Sequence, residues 1–185
     1  YGCTALTSVD LSSLTTVSSK YAFQYAFNNC TGLTSVSFTS LTTVSGNYAL
    51  YNVFSGCTAL TSVDLSSLTT VSSEYAFQYA FNNCTGLTSV SFTSLATISG
   101  SNGFAYAFNK CTGLTSVSFP ALKTTSFGSY TNQFQYMMNY TGSTTTHTIH
   151  FPSNLQSKIS TLTGYPLFGG SSGKVVLAFD LPATS

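Results

Sequence analysis

From Cys3 onward the apolar positions follow a fixed order. Leu6, Val9, Leu11, Leu14 and Val17 come first, then Phe23 and Phe27, with Ser, Thr, Asn or Gln filling most of the gaps. Val9 and Leu11 alternate with Ser8 and Asp10, the period-two pattern of a short strand with one face turned inward. The inward pair recurs as Val36/Phe38, Val63/Leu65, Val90/Phe92 and Val117/Phe119. The outward pairs are Ser35/Ser37, Ser62/Asp64, Ser89/Ser91 and Ser116/Ser118. Stacked in register, such strands make a parallel sheet whose open face is a field of serines. In the segment YAFQYAFNN the spacing changes: Tyr21/Tyr25 and Phe23/Phe27 stand four apart, the spacing of one helical face. This predicts one or two turns of helix on the opposite side, held by packing because so short a helix is marginal alone.

The pattern is a repeat. Cys3, Cys30, Cys57, Cys84 and Cys111 follow one another at 27-residue steps, a period that marks a solenoid of stacked coils. Residues 3–29 and 57–83 differ only at Lys20 against Glu74, while 30–56 and 84–110 diverge mainly in their last third, so the chain carries a two-coil unit copied once. Five such coils are expected over residues 1–140. Residues 141–185 are expected to form a degenerate last coil and a C-terminal cap, since a bare solenoid end exposes its core. Within that region HTIHFP (147–152) echoes TSVSFP, Lys174–Phe179 reads as a final strand, and Tyr140 stands where a sixth cysteine would fall. The fold class is an α/β repeat solenoid.

Composition narrows the function. Charged residues make up 5% of the chain, the net charge is +1, and no arginine occurs, so the basic stripe that nucleic-acid binding needs is missing. About a third of the residues are Ser or Thr, which gives a wet surface that does not repel itself. No apolar run reaches the length of a membrane span. The chain starts at Tyr1 in mid-repeat, and a signal peptide, if the gene encodes one, is expected to lie outside it or to have been removed.

Three sets of residues are candidates for a role. The cysteines Cys3, Cys30, Cys57, Cys84 and Cys111 share one phase and are expected to form a structural ladder of buried thiols. In-register side chains point the same way, which suits neither a disulfide nor a metal. The concave serine face offers Ser8, Asp10, Ser35, Ser37, Ser62, Asp64, Ser89, Ser91, Ser116 and Ser118 as a binding surface, though without the large anchors typical of hot spots. Tyrosines form two rows, Tyr21/Tyr48/Tyr75 and Tyr25/Tyr79/Tyr106, either of which could be an outward stripe or inter-coil packing. His147 and His150 are three apart, hence on opposite sides of a strand, and unsuited to a shared metal. Four carboxylates, two histidines and no phosphate-binding loop give no basis for an enzyme, a metal site or a cofactor.

The phrase AFNNCTGLTSVSF, with its AFxxCxxLxxVxF spacing, resembles the BspA-type (treponemal) leucine-rich repeat of bacterial surface proteins over residues 1 to about 140. The chain departs from that pattern in its 27-residue repeat, in the extra YAFQ segment, and in lacking proline after the strand except at Pro120. The resemblance implies a right-handed, leucine-rich-repeat-like coil and an extracellular or cell-surface place on a bacterium. It implies a non-enzymatic role in binding or adhesion to protein or glycan ligands. The alternative is a self-assembling subunit of an extracellular fibre or layer, stacking end to end, suggested by a start at a coil edge without a recognisable cap.

Overall fold

The computed structural model describes residues 2–123, 132–139, 145–160 and 174–183. Eleven strands run through these segments. They are β1 (Ser8–Asp10), β2 (Thr16–Val17), β3 (Ser35–Ser37), β4 (Thr43–Val44), β5 (Ser62–Asp64), β6 (Thr70–Val71), β7 (Ser89–Ser91), β8 (Thr97–Ile98), β9 (Ser116–Ser118), β10 (Thr146–Pro152) and β11 (Lys174–Leu181). The odd-numbered strands and β10 form a seven-stranded sheet in the order β1-β3-β5-β7-β9-β10-β11, and β2-β4-β6-β8 form a second sheet. The pairings between neighbouring strands are parallel, and Ser8↔Ser35↔Ser62↔Ser89 sets the register at the 27-residue period. The result is a parallel β-solenoid of about five turns. Strand β10 pairs with β9 through Ile149↔Val117 and His150↔Ser118, the alignment that the HTIHFP echo suggests.

Alternation decides which side chains enter the core. Val36, Phe38, Val63, Leu65, Val90, Phe92, Val117 and Phe119 are buried, as are Leu33, Leu60, Leu87 and Leu114 at the bend before each strand. Each such side chain contributes about 1.5–3 kcal/mol by leaving water. Aromatic rings carry the core along the solenoid axis: Phe54 stacks on Phe81 at 5.7 Å and Phe81 on Phe108 at 5.3 Å. Close backbone approach sets one further demand. A Cβ on Gly46 would collide with the Ser19 carbonyl of the coil below, and one on Gly100 with the Ser73 carbonyl, so glycine stands at this phase in the second coil of each two-coil unit.

The expected helical segments on the far side are not there. From the third coil into the start of the fourth, Gln78, Ala80, Asn82 and Cys84 donate their N–H to the carbonyl three residues back, at 3.0–3.3 Å. The residues between them donate outward instead: Tyr75 to Ser101, Phe77 to Gly103, Tyr79 to Ala105 and Phe81 to Ala107, at 2.7–3.1 Å. An α-helix would keep all these N–H groups for its own carbonyls four residues back. Backbone angles show the same departure. Tyr75, Tyr79 and Asn83 have φ of 57°, 56° and 60°, as do their counterparts Tyr21, Tyr25 and Asn29 at 61°, 56° and 58°. The segment is therefore a ribbon of serial turns with a period of four. Four-residue spacing is common to a helical face and to this ribbon, which is why the sequence pattern pointed to a helix. The left-handed conformation costs about 1–2 kcal/mol for an ordinary residue and less for Asn. Hydrogen bonds to the next coil and ring stacking hold the tyrosines in it. Among the described residues the one α-helix is α1 (Gln156–Ser160), after a 3-10 turn at Ser153–Leu155 and outside the repeats.

Candidate functional site

The serine face lies where strand alternation puts it. Ser8, Asp10, Ser35, Ser62, Asp64, Ser89 and Ser116 are exposed, and Ser37, Ser91 and Ser118 half-buried, all on the seven-stranded sheet. Asp10 and Asp64 are occupied locally, for each accepts a 2.9 Å bond from the N–H two residues on, Ser12 or Ser66. The bonds from Ser12 hold the Asp10 carboxyl below its ordinary value. The two aspartates sit two coils apart, either side of Ser37, so they do not act as a pair. Threonines at the strand borders are also engaged: Thr34, Thr61 and Thr88 donate their hydroxyls to the carbonyl of the equivalent residue one coil back, at 2.9–3.4 Å.

The C-terminal end of this sheet differs from the rest. His150 continues the row Asp10-Ser37-Asp64-Ser91-Ser118, and its Nδ1 lies 2.9 and 3.0 Å from the two carboxylate oxygens of Asp180 on β11. The bond from His150 holds the Asp180 carboxyl below its ordinary value. Val176, level with Thr148, is 47% exposed, which makes it the most exposed large aliphatic residue among those described. An imidazole–carboxylate pair, with an exposed apolar side chain further along β11, thus marks the end of a face otherwise made of hydroxyls and the locally bonded carboxylates of Asp10 and Asp64. Sequence reasoning missed this group. Aligning HTIHFP with TSVSFP places His150 in the serine row, but nothing in the sequence brings Asp180 beside it across 30 residues. His147 points the other way: it is buried, with Nδ1 2.7 Å from the Leu114 carbonyl.

Both tyrosine rows lie on the ribbon side. Tyr21, Tyr48 and Tyr75 form one, with centroids 5.4 and 4.6 Å apart. Lys20 caps it, its ammonium 4.6 Å from the Tyr21 centroid. In the other row Tyr79 stacks on Tyr106 at 4.7 Å and Tyr106 on Tyr136 at 4.9 Å. Tyr51 enters this row from the neighbouring phase and meets Tyr25 and Tyr79 edge-on, at 82° and 83°. Stacking covers the ring faces and leaves mainly ring edges outward; Tyr21, 45% exposed, is the most open. Burial pushes up the phenols of Tyr48, Tyr79 and Tyr106, with the neighbouring ring adding to it, so all stay protonated at neutral pH.

The cysteine ladder is buried from the second coil on. Cys57, Cys84 and Cys111 donate their thiols to the carbonyls of Phe27, Phe54 and Phe81 at 3.1, 3.0 and 2.8 Å. Burial pushes the Cys57 thiol up to about 12 and also raises those of Cys84 and Cys111 well above their ordinary value. The thiolate, the reactive form, is thereby suppressed. Cys3 departs from the expectation of a buried ladder: it is exposed, because the described chain places no coil over it. All five thiols are free. Tyr140, the stand-in for a sixth cysteine, lies outside the described residues. No group of three or more His, Cys, Asp or Glu among the described residues is arranged to hold a metal, and no described helix is long and apolar enough to cross a membrane.

A crystal structure of a T. pallidum leucine rich repeat protein (TpLRR) is similar at 21% identity and a TM-score of 0.44. The match covers 80% of this chain and 54% of that one, so the chain spans about half the length of that protein. No curated protein sequence matches the chain. Six copies of the BspA type leucine rich repeat region match residues 1–141, most of the chain and every coil with the cysteine phase. With its register, ribbon and ladders accounted for, the chain belongs to the BspA type leucine rich repeat family.

Proposed function

We propose that this chain is a non-enzymatic binding module of a bacterial surface or secreted protein, and that it takes a protein ligand on the seven-stranded sheet. The observation that carries this reading is the contrast along that face. Its rows are small and wet, hydroxyls broken only by the locally bonded carboxylates of Asp10 and Asp64, whereas Val176 and the His150–Asp180 pair supply at one end the larger apolar and polar contacts that hot spots need. In this reading the ligand lies across Ser35, Ser62, Ser89 and Ser116 and is anchored at that end. A protein fits better than a glycan, because sugars dock on open aromatic faces and the tyrosine faces here are largely covered by one another. Burial of four of the thiols suits an oxidising exterior, since they are withheld from exchange. Residues 141–185 act as the C-terminal cap in the same reading.

The test is a binding screen of the chain against extracellular-matrix and secreted proteins, with Ser62→Arg/Ser89→Arg and Val176→Asp as surface variants. Binding should fall at least tenfold in both. A ligand bound equally by wild type and both variants sinks the reading.

End-to-end assembly is a second reading, favoured by one observation. The first coil leaves Leu6, Val9, Leu11, Leu14 and Phe23 only partly buried, and any further coil, of this chain or another, would cover them. Light scattering over a wide concentration range decides it, and a constant monomer mass rules it out.

A further inference from the structure

We propose that the tyrosine ladders are oxidative coupling sites, at which a peroxide-driven haem peroxidase, or another one-electron oxidant, joins Tyr48 to Tyr75 and Tyr79 to Tyr106. Coupling needs two phenol rings held face to face within reach of each other, open at their edges, and not outcompeted by a more easily oxidised aromatic. The ladders meet each condition. Tyr48 and Tyr75 stack at 4.6 Å and 14°, Tyr79 and Tyr106 at 4.7 Å and 13°, and Tyr106 and Tyr136 at 4.9 Å and 19°. All five residues are half-buried, so part of each ring meets solvent. The chain has no tryptophan, the usual competing aromatic donor.

In the reaction each phenol gives one electron to the oxidant and its O–H proton to water, leaving a neutral phenoxyl radical. The two radicals pair at carbons ortho to oxygen, forming one C–C bond. The two ring hydrogens then move to the oxygens, so aromaticity and both hydroxyls are restored. Two phenols and one hydrogen peroxide become one biphenol and two waters. Each link ties one coil to the next and serves the solenoid as a covalent staple along its axis. Tyr51 is the internal control, because its edge-on contacts at 82° and 83° do not bring two ring faces together.

The experiment treats the folded chain with horseradish peroxidase and hydrogen peroxide, then reads biphenol fluorescence, intact mass and protease-derived cross-linked peptides. Expected are products of monomer mass lacking two hydrogens per link, with links at 48–75, 79–106 and 106–136 at least fivefold above any through Tyr51. The linked chain should unfold at higher denaturant. Tyr75→Phe keeps a stacked ring and so the fold, and it should lose the 48–75 link alone. The proposal is overturned if links run only between molecules, if they spread evenly over all tyrosines as in the urea-unfolded chain, or if the folded chain stays unlinked while free tyrosine couples in the same solution.

Discussion

Residues 3–29 and 57–83 carry the same sequence but for one position, Lys20 against Glu74, and occupy different physical environments. Cys57, Leu60, Val63, Leu65, Leu68, Ala76, Phe77, Ala80 and Phe81 are all buried. Their counterparts Leu6, Val9, Leu11, Leu14, Phe23 and Phe27 are only partly covered, and Cys3, Ala22 and Ala26 are exposed. Both coils have the same turns, the same strands and the same left-handed tyrosines. Local conformation therefore follows the 27-residue sequence, whereas burial follows the neighbours. In a stack of this kind stability is a sum of coil and interface terms, and the two coils differ in the interface term alone.

Truncating equivalent side chains gives the largest separation between them. Leu60→Ala should lose about 2–5 kcal/mol, the range for a fully buried leucine, while Leu6→Ala, partly covered, should lose less than half as much. Urea unfolding followed by circular dichroism checks this, and equal losses would mean that the first coil is covered in solution. Next in size is Gly46→Ala, which forces a methyl into the Ser19 carbonyl and should destabilise by about 1–3 kcal/mol, whereas Ser19→Ala on the facing coil should change little.

The cysteines give a contrast in chemistry. Cys3 should react with a thiol reagent at once, and Cys57, Cys84 and Cys111 only as fast as the coils open. The pH dependence has a definite sign. Cys57 has a folded value of about 12, above its ordinary 9.0, so the native state holds a proton that the unfolded state gives up between the two. Its contribution is complete below about pH 9 and is lost as pH rises toward 12, and the raised tyrosines act in the same direction. Urea midpoints should therefore fall steadily above about pH 9, and Cys57→Ala should lessen the fall.

Lys20→Glu has the smallest expected effect. It makes the two coils identical, yet it should leave the labelling contrast intact and shift stability by under about 1 kcal/mol, the range of an exposed cation–π contact. If it equalised the two coils, sequence rather than position would be the cause of their difference.

Much of the architecture is legible in the chain. Alternation around Val9, Val36, Val63, Val90 and Val117 gives the strands, and the cysteine period gives their register, because both depend on neighbours in sequence and on repetition. The ribbon is hidden in the sequence for a physical reason: a four-residue period is compatible with a helix, and only the hydrogen bonds sent to the next coil tell the two apart. The candidate site divides in the same way. The rows from Ser8 to Ser118 follow from pattern, but the pairing of His150 with Asp180, and the placing of Val176 beside Thr148 on the same face, depend on β11 returning beside β10, which no local signal encodes. By itself the sequence determined the coil: its length, its strand, its tyrosine phase and its thiol. Tertiary structure decided which copies of that coil are buried, which thiols are quenched and which ring faces are covered, because burial and stacking belong to the interface between coils and one coil supplies only half of it.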